Sequence, residues 1–277
     1  MRVRMQTIIA CAAMLMIPAR ASALWEVEAK LVHDSNVNRS VVEEESDTSL
    51  DALVTYNRVS DPKRRLDWTL RASVEGAAYA QTQDLDFLGL SLSPAVVVLP
   101  ANGWRVRIGP FVQARTVRDN DQSAWALGAA MNLEQQWSPF WYSGEYYAYT
   151  DSRARDEVYA FTEHSVGIFV GQNWTGSLFS EIGYEYASGE SFQTIPTETI
   201  TTVSVASRGR GYRRGGYSTT FGADVVRDDV TRYTGTLTIG YAAGSFTPYL
   251  GYRYSRGRGD LGTTNTHEAS AGLRYMF

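Results

Sequence analysis

A histidine and a serine near position 35 are the first candidates for chemistry in this chain. His33 and Ser35 stand two positions apart in the run His33-Asp34-Ser35. A serine nucleophile needs a histidine base, which a third group orients. The candidates for that third group are Asn36, Asn38 and Glu43. Asp, Ser and Asn also form ordinary polar turns, so we favour a turn here and keep a hydrolase using His33 and Ser35 as an alternative.

The rest of the chain offers no second catalytic or metal-binding pattern. His164 and Ser165 are adjacent, and adjacent residues of a strand point to opposite faces of a sheet. They therefore cannot act together as a histidine–serine pair. The sequence has no Gly-x-Ser-x-Gly, no His-Glu-x-x-His and no histidine or cysteine spacing suited to a metal. We therefore expect no cofactor and no metal. Without the first 23 residues, which hold three arginines and no acid, the chain has 23 basic and 30 acidic residues, and this net charge of −7 argues against nucleic acid as a partner.

The first 23 residues have the pattern of a secretory signal peptide rather than of a folded element. Arg2 and Arg4 precede an apolar stretch over 7–17, and Pro18 and the small residues of 21–23 follow it. This order of a charged start, an apolar centre and a small-x-small site is typical of a cleaved signal. We expect a signal peptide over 1–23 and one folded domain over 24–277. The single cysteine, Cys11, excludes a disulfide scaffold.

The elements that position the remaining residues are strands, because apolar and polar residues alternate with a period of two. The clearest segments are Trp25, Val27, Ala29 and Leu31 against Glu26, Glu28 and Lys30, and Leu66, Trp68, Leu70, Ala72 and Val74 against Asp67, Thr69, Arg71, Ser73 and Glu75. Similar alternation recurs to the end of the chain, where Ala269, Ala271, Leu273, Tyr275 and Phe277 share one parity.

Three features favour a transmembrane β-barrel over a soluble sandwich. The segments run to roughly 10 residues, the length that a tilted strand needs to cross a bilayer. Their polar faces carry full charges, such as Arg105 with Arg107, which a dry core could not hold unpaired. Aromatic residues, which favour the membrane–water boundary, stand at the segment ends: Trp25, Trp104, Trp137, Trp141, Trp174, Tyr254 and Phe277.

Short turns alternate with longer polar loops along the chain. Outer-membrane barrels have short periplasmic turns and longer outer loops, so we expect both termini in the periplasm and an even number of antiparallel strands. One long outer loop from Ser188 to Asp229 gives twelve strands. If 199–205 and 217–225 both cross, the barrel has fourteen. We favour twelve, because the basic stretch 208–216 would make an unusual periplasmic turn.

Two segments carry a resemblance to known families. The last strand, with Leu273, Tyr275 and the terminal Phe277 on one face, resembles the assembly signal of Gram-negative outer-membrane proteins. The opening segment 32–39 (Val-His-Asp-Ser-Asn-Val-Asn-Arg) resembles the start of porin-like barrel domains such as those of surface lipoprotein assembly modulators. The His33/Ser35 spacing resembles that of outer-membrane phospholipases and lipid A deacylases. These resemblances imply an outer-membrane location and insertion by the barrel assembly machinery.

The parity of the strands predicts which charged residues face the lumen. Ten acids and six bases are expected there, which favours cations. They are Glu26, Glu28, Lys30, Asp67, Arg71, Glu75, Arg105, Arg107, Glu134, Glu145, Glu163, Glu181, Glu185, Arg253, Glu268 and Arg274. A separate basic patch in the long outer loop, Arg208, Arg210, Arg213 and Arg214, is a candidate for clamping lipopolysaccharide phosphates.

Three functions remain open from the sequence. The favoured one is a passive, weakly cation-preferring, porin-like pore for small solutes in the outer membrane of a Gram-negative bacterium. The second is a non-conducting structural barrel or an accessory to assembly or export. The third is an outer-leaflet lipid hydrolase that uses His33 and Ser35. Twelve strands lie between the filled barrels of about 8 strands and the open channels of 16 to 18, so strand number does not separate the first two.

Overall fold

Antiparallel strands make up nearly all of this computed structural model, which describes residues 23–174, 176–195 and 216–277. Their long alternating segments let each strand present one apolar and one polar face. The strands are β1 (Ala23–Asp34), β2 (Asp47–Arg58), β3 (Leu66–Tyr79), β4 (Phe87–Val98), β5 (Trp104–Val117), β6 (Ala124–Gln136), β7 (Trp141–Ala154), β8 (Phe161–Asn173), β9 (Leu178–Ile195), β10 (Gly216–Ser218), β11 (Ala223–Tyr241), β12 (Phe246–Arg258) and β13 (Thr263–Met276).

Twelve of these strands close into one barrel. Each pairs with its neighbour in the chain, β9 pairs with β11, and β1 pairs with both β2 and β13, so the ring has no open edge. The three-residue β10 pairs only with the start of β11, through Gly216↔Val225 and Ser218↔Ala223. The predicted twelve-strand antiparallel barrel is therefore confirmed. Segment 217–225 forms this hairpin instead of crossing, and 199–205 lies outside the described residues.

The two ends of the barrel differ in their connections. We call the end with residues 23 and 277 and the short turns the turn end, and the opposite end the loop end. The loops over 35–46, 80–86, 118–123 and 155–160 lie at the loop end. Three short 3-10 turns occur in them: Gln83–Leu85, Asn120–Gln122 and Glu157–Tyr159.

The long loop expected from Ser188 to Asp229 is shorter than predicted. β9 continues to Ile195 and β11 begins at Ala223, and Asp224 lies opposite Ile195 in the ladder. The two strands extend beyond the rest of the barrel because they pair with each other along this whole length. Polar and apolar residues are mixed in these extensions, so the sequence does not show there the period of two that identifies the other strands.

The outer face of the barrel is an apolar belt. Leu31, Leu66, Ile182 and Leu250 each leave more than half of their surface exposed, and many more apolar side chains on the same face are open as well. Soluble monomers rarely expose apolar surface on this scale. The belt therefore needs a nonpolar surrounding, which a bilayer supplies.

A girdle of aromatic side chains borders this belt at the turn end. The rings of Trp104 and Trp137 lie 6.0 Å apart, edge to face. The indole N–H of Trp137 donates to Ser143 Oγ at 2.8 Å, and that of Trp174 donates to Ser180 Oγ at 2.9 Å. Their apolar rings stay exposed while their polar groups are bonded, as suits a boundary between lipid and water. Within the described ranges, no helix is long and apolar enough to cross a membrane.

Candidate functional site: the barrel interior

The interior of the barrel holds a cavity of about 570 Å³ that reaches down from the loop end. One wall of this cavity is charged, and its charges are paired between different strands. Arg232 of β11 lies 3.0 Å from Glu163 and 3.6 Å from Glu185. Arg253 of β12 lies 3.2 Å from Glu268. These pairs hold the wall charges in fixed positions, although each partly wet pair stabilises the barrel by only about 0–1 kcal/mol.

A second charged group lies nearer the turn end, where β13, β1 and β12 meet. Arg274 approaches Glu26 at 3.2 Å and Glu28 at 3.0 Å. The hydroxyl of Tyr249 donates to the other oxygen of Glu28 at 2.8 Å. The guanidinium and the hydroxyl together orient two carboxylates of one strand, and the single arginine balances one of their two negative charges.

The side of the interior formed by β3, β4 and β5 is basic. Arg105 forms an ion pair with Glu134 at 3.6 Å. Arg107 instead donates to Ser93 Oγ at 2.9 Å and to Thr69 Oγ1 at 3.3 Å. Among the residues that the structure describes, no carboxylate lies within 4.0 Å of the Arg107 guanidinium. The interior is therefore bipolar, with unpaired positive charge on this side.

Interior aromatic rings lie flat against glycines of the neighbouring strands. A Cβ on Gly167 would lie 2.4 Å from the ring of Tyr146, and one on Gly171 would lie 2.0 Å from the ring of Tyr142. Phe111, Phe169, Phe179 and Tyr249 meet Gly128, Gly144, Gly240 and Gly272 in the same way. The rings occupy the space that a side chain would fill, so they cover the wall instead of projecting across the lumen.

In strand β7 the inward-facing residues differ from those predicted from the sequence. Tyr142 and Tyr146 share the inward parity of this strand, and their hydroxyls donate to Glu181 at 3.2 Å and to Glu185 at 2.5 Å. The opposite parity, which includes Glu145, faces outward. Glu145 lies opposite Leu133 on one side and Ile168 on the other, and it is exposed. Its predicted place in the lumen is wrong, because the two tyrosines were counted as the apolar outer face.

The register places the other predicted interior residues on inward parities. Near the turn end, Asp67 accepts from the backbone N–H of Asp61 at 2.8 Å and pairs with Arg58 at 3.8 Å. The full set on inward parity is Glu26, Glu28, Lys30, Asp67, Arg71, Glu75, Arg105, Arg107, Glu134, Glu163, Glu181, Glu185, Arg253, Glu268 and Arg274.

The sequence reasoning missed several interior charges, among them the cavity-lining Asp34 and Arg39. Asp51 pairs with Lys30 at 3.6 Å, and the alternation within β2 would have revealed it. Arg115 stacks over the ring of Phe87 at 3.8 Å, on a part of β5 where the outward residues are small. Arg232 lies just after the segment that was assigned to the long loop. With these residues added and Glu145 removed, acids still outnumber bases in the interior.

The loops at the loop end pack into an apolar core of their own. Leu85, Val158, Tyr159, Phe221 and Val225 are buried against one another. Backbone hydrogen bonds link successive loops, from Asp119 N to Asp84 O at 2.7 Å and from Asp156 N to Asp121 O at 3.0 Å. Four separate connections therefore form one cap beside the cavity opening.

The segment 35–46, which we call the mouth loop, reaches from β1 to the extended end of β9. Ser40 bridges to Thr194, and Thr194 Oγ1 donates to the carbonyl of Asn38 at 2.9 Å. Between these contacts Arg39 adopts a φ of 52°. Arg39 stays accessible from the cavity. Desolvation by the surrounding protein, with Arg232 and Arg115 nearby, lowers its pKa to about 10, so it stays charged at neutral pH.

The His33/Ser35 pair is not assembled for catalysis in the described part of the chain. His33 faces outward as predicted, but its Nδ1 lies 3.2 Å from Thr48 Oγ1. Ser35 Oγ accepts from the backbone N–H of His267 at 2.8 Å. With no hydrogen bond joining the imidazole to the serine, this segment is the turn that the sequence favoured.

The remaining predicted sites fall at the chain ends or outside the structure. The backbone N–H of Phe277 donates to the carbonyl of Trp25 at 2.9 Å, and its ring meets that of Tyr275 at 4.6 Å. Leu273 shares their outward parity. The candidates Arg208, Arg210, Arg213 and Arg214 lie outside the described residues. Within the described residues, no three His, Cys, Asp or Glu side chains are placed to hold a metal ion.

Comparison with solved structures shows the same fold. An outer membrane channel from Pseudomonas putida F1 matches with a TM-score of 0.59 at 8% identity, covering 94% of this chain and 97% of that one. A KdgM porin in complex with oligogalacturonate matches with a TM-score of 0.51 at 9% identity, covering 91% and 99%. A NanC porin matches with 0.50 at 12% identity, covering 90% and 98%. No protein-family model and no curated protein matches the chain. The chain thus has the fold of porin-like outer-membrane barrels.

Proposed function

We propose that this protein is an outer-membrane pore through which small hydrophilic solutes pass by diffusion. The observation that carries the proposal is the contrast between the two faces of one closed sheet. The outer face is an exposed apolar belt, while the inner face holds charged groups and a cavity of about 570 Å³. Interior rings that lie against glycines stay close to the wall.

The proposed orientation follows from the connections. Outer-membrane barrels keep short turns in the periplasm and longer loops outside, so the turn end and both termini would face the periplasm. The segment 1–23 would direct export and be removed. Phe277, bonded to Trp25 at the closing seam, would serve the barrel assembly machinery as its recognition signal. Lipid and lipopolysaccharide would surround the apolar belt.

For ion selectivity we propose a weak preference for cations. Acids outnumber bases among the interior charged residues. Most carboxylates are already paired with arginines, which screens them. A small surplus in a wet lumen gives a modest potential, so the preference should be weaker than the charge count of the sequence suggests.

Planar-bilayer recording of the purified barrel tests this function. Insertion should produce stepwise conductance, and a KCl gradient should give a small reversal potential of the sign for cations. Protein unfolded in denaturant and added at the same concentration is the control. A barrel that inserts without conducting would contradict the pore, while a conducting barrel that prefers anions would contradict only the selectivity.

The packed cap favours a second candidate, a barrel closed at the loop end. Phe221 is almost fully buried in the cap, and its ring stacks on Phe192 at 6.1 Å. If the cap closes the opening, the wild type would be silent and a Phe221→Ala variant would conduct. Such a closed barrel would suit a structural role or an accessory role in assembly or export.

A further inference from the structure

We propose that Arg39 and Arg115 form a binding site for an oxyanion group, a carboxylate or a phosphate carried by a small solute, at the loop end of the barrel. The mouth loop is the element that presents Arg39 there. Both arginines line the cavity, together with Tyr79 and Gln193. This binding proposal does not depend on whether the barrel conducts.

The mouth loop is held by an unusually complete set of polar contacts. Asn36 and Asn38 are 1% and 3% exposed, and Ser40 is 3% exposed. Asn36 Oδ1 accepts from the backbone N–H of Ser40 at 2.9 Å, while its Nδ2 donates to the carbonyls of Ser40 at 3.0 Å and Asn265 at 3.1 Å. Asn38 Nδ2 donates to the carbonyl of Glu43 at 2.9 Å. Every polar atom of these two amides is used to fix the loop.

This scaffold forces Arg39 into a backbone conformation that arginine does not prefer. Its φ of 52° makes it the one non-glycine residue with positive φ among those described. Glycine adopts this region without steric cost. Strained residues persist where the surrounding structure determines them, and they cluster at functional sites. The presence of arginine in this strained conformation therefore indicates that its side chain has a function.

The Arg39 side chain is not required to attach the mouth loop to β9. The backbone already makes the attachment, since Val41 N donates to Thr194 O at 3.4 Å and Thr194 N donates to Arg39 O at 3.3 Å. The Thr194 hydroxyl adds its bond to Asn38. The Arg39 side chain contributes only a 3.3 Å bond from Nη1 to Ser191 Oγ. The guanidinium is thus largely available to a ligand.

The charges around Arg39 and Arg115 distinguish them from the other interior arginines. Arg232, which lies near them, is neutralised by Glu163 and Glu185. Arg39 and Arg115 instead meet aromatic rings, at 4.7 Å over Phe192 and 3.8 Å over Phe87. Within the described ranges, neither has a carboxylate within 4.0 Å.

Two uncompensated guanidinium groups on one cavity suit an oxyanion. The nearby acids, Asp34 and Glu163 for Arg39 and Glu75 and Asp51 for Arg115, act only from beyond ion-pair distance. Guanidinium groups present planar sets of donors that match the oxygens of carboxylates and phosphates. Rings beneath both groups restrict their motion and leave their N–H edges for the ligand. The chemistry of the site therefore selects a small, multiply charged anion over a neutral solute.

Calorimetric titration of the full-length barrel in a zwitterionic detergent tests the site, with citrate and inorganic phosphate as the probes. The wild type should bind at least one of them, and the affinity should fall as salt is added. Arg39→Gly removes the side chain and also relieves the backbone strain, so the variant should fold. It should lose about tenfold or more in affinity, the effect of removing a charge-assisted hydrogen-bond partner. Arg115→Gln should show a similar loss.

Arg153→Gln is the matched control, because Arg153 is an exposed loop-end arginine paired with Asp151 outside the cavity. Its affinity should equal that of the wild type. Equal citrate and phosphate affinities in wild type and Arg39→Gly would overturn the site, as would no binding of either probe to the wild type. In planar bilayers, citrate on the loop-end side should interrupt the current of the wild type and not of Arg39→Gly. A barrel that binds citrate but conducts nothing would refute the pore and leave the site standing.

Discussion

Replacing Gly167 by alanine should disturb the lumen through a single clash. The new Cβ would lie 2.4 Å from the ring of Tyr146, more than 1 Å inside normal contact. Since backbone pairing holds β8 in place, the ring has to swing into the lumen and leave Glu185. Overpacking costs about 1–3 kcal/mol and a lost hydrogen bond to a charged group about 1.5–3 kcal/mol. Because Tyr146 is only partly buried, we expect a loss of about 2–4 kcal/mol in unfolding free energy.

Urea unfolding of the barrel in lipid vesicles measures this loss, and single-channel conductance measures the obstruction. Gly235→Ala is the matched control, because a Cβ there has open space around it; it should be neutral or stabilise by up to about 1 kcal/mol. The double variant Gly167→Ala with Tyr146→Ala should regain conductance, since the displaced ring is absent. Equal stability and equal conductance for the Gly167 and Gly235 variants would refute the packing argument.

Three further outcomes follow from the same structure. A chain that ends at Met276 loses the seam contact of Phe277 with Trp25 and the ring contact with Tyr275; immunoblots of outer-membrane fractions should show less of it, and normal levels would refute the signal. Neutralising Arg105 and Arg107 with glutamine should raise cation preference while the barrel still folds, as reversal potentials would show; an unchanged value would refute their role. Trypsin added to intact cells should cut within 208–214, and cleavage only in opened cells would contradict an outer location.

The period of two predicted the strands and most inward charges. Segment length, charged faces and terminal aromatic residues then favoured a barrel, and the basic stretch 208–216 favoured twelve strands. The period gave the wrong inward parity for β7, because tyrosine can be counted as apolar or as polar. An aromatic ring reads as apolar, yet the hydroxyls of Tyr142 and Tyr146 reach carboxylates of β9 inside the barrel. Counting these rings as outer-face residues placed Glu145 on the wrong side. The glycines opposite them, Gly167 and Gly171, were the signal that could have corrected the parity.

The mouth loop could not be predicted, because its geometry depends on distant residues. The polar composition of 35–46 correctly indicates a loop, and asparagine and serine indicate turns. Nothing local shows that Asn38 accepts from Thr194, which follows it by 156 positions, or that Asn36 bonds to Asn265. The place of Arg39 beside Arg115 and Arg232 therefore emerges only when the barrel closes.

Swelling of vesicles that contain the purified barrel tests the pore most directly, because it measures the passage of uncharged solutes. Proteoliposomes diluted into an isotonic solution of a small sugar such as arabinose should swell, with rates that fall as the sugar becomes larger. Vesicles containing the Gly167→Ala variant should swell more slowly, and those containing Gly235→Ala should match the wild type. If wild-type vesicles, with the barrel folded and inserted, swelled no faster than protein-free vesicles in arabinose, the account of this protein as a pore would be contradicted.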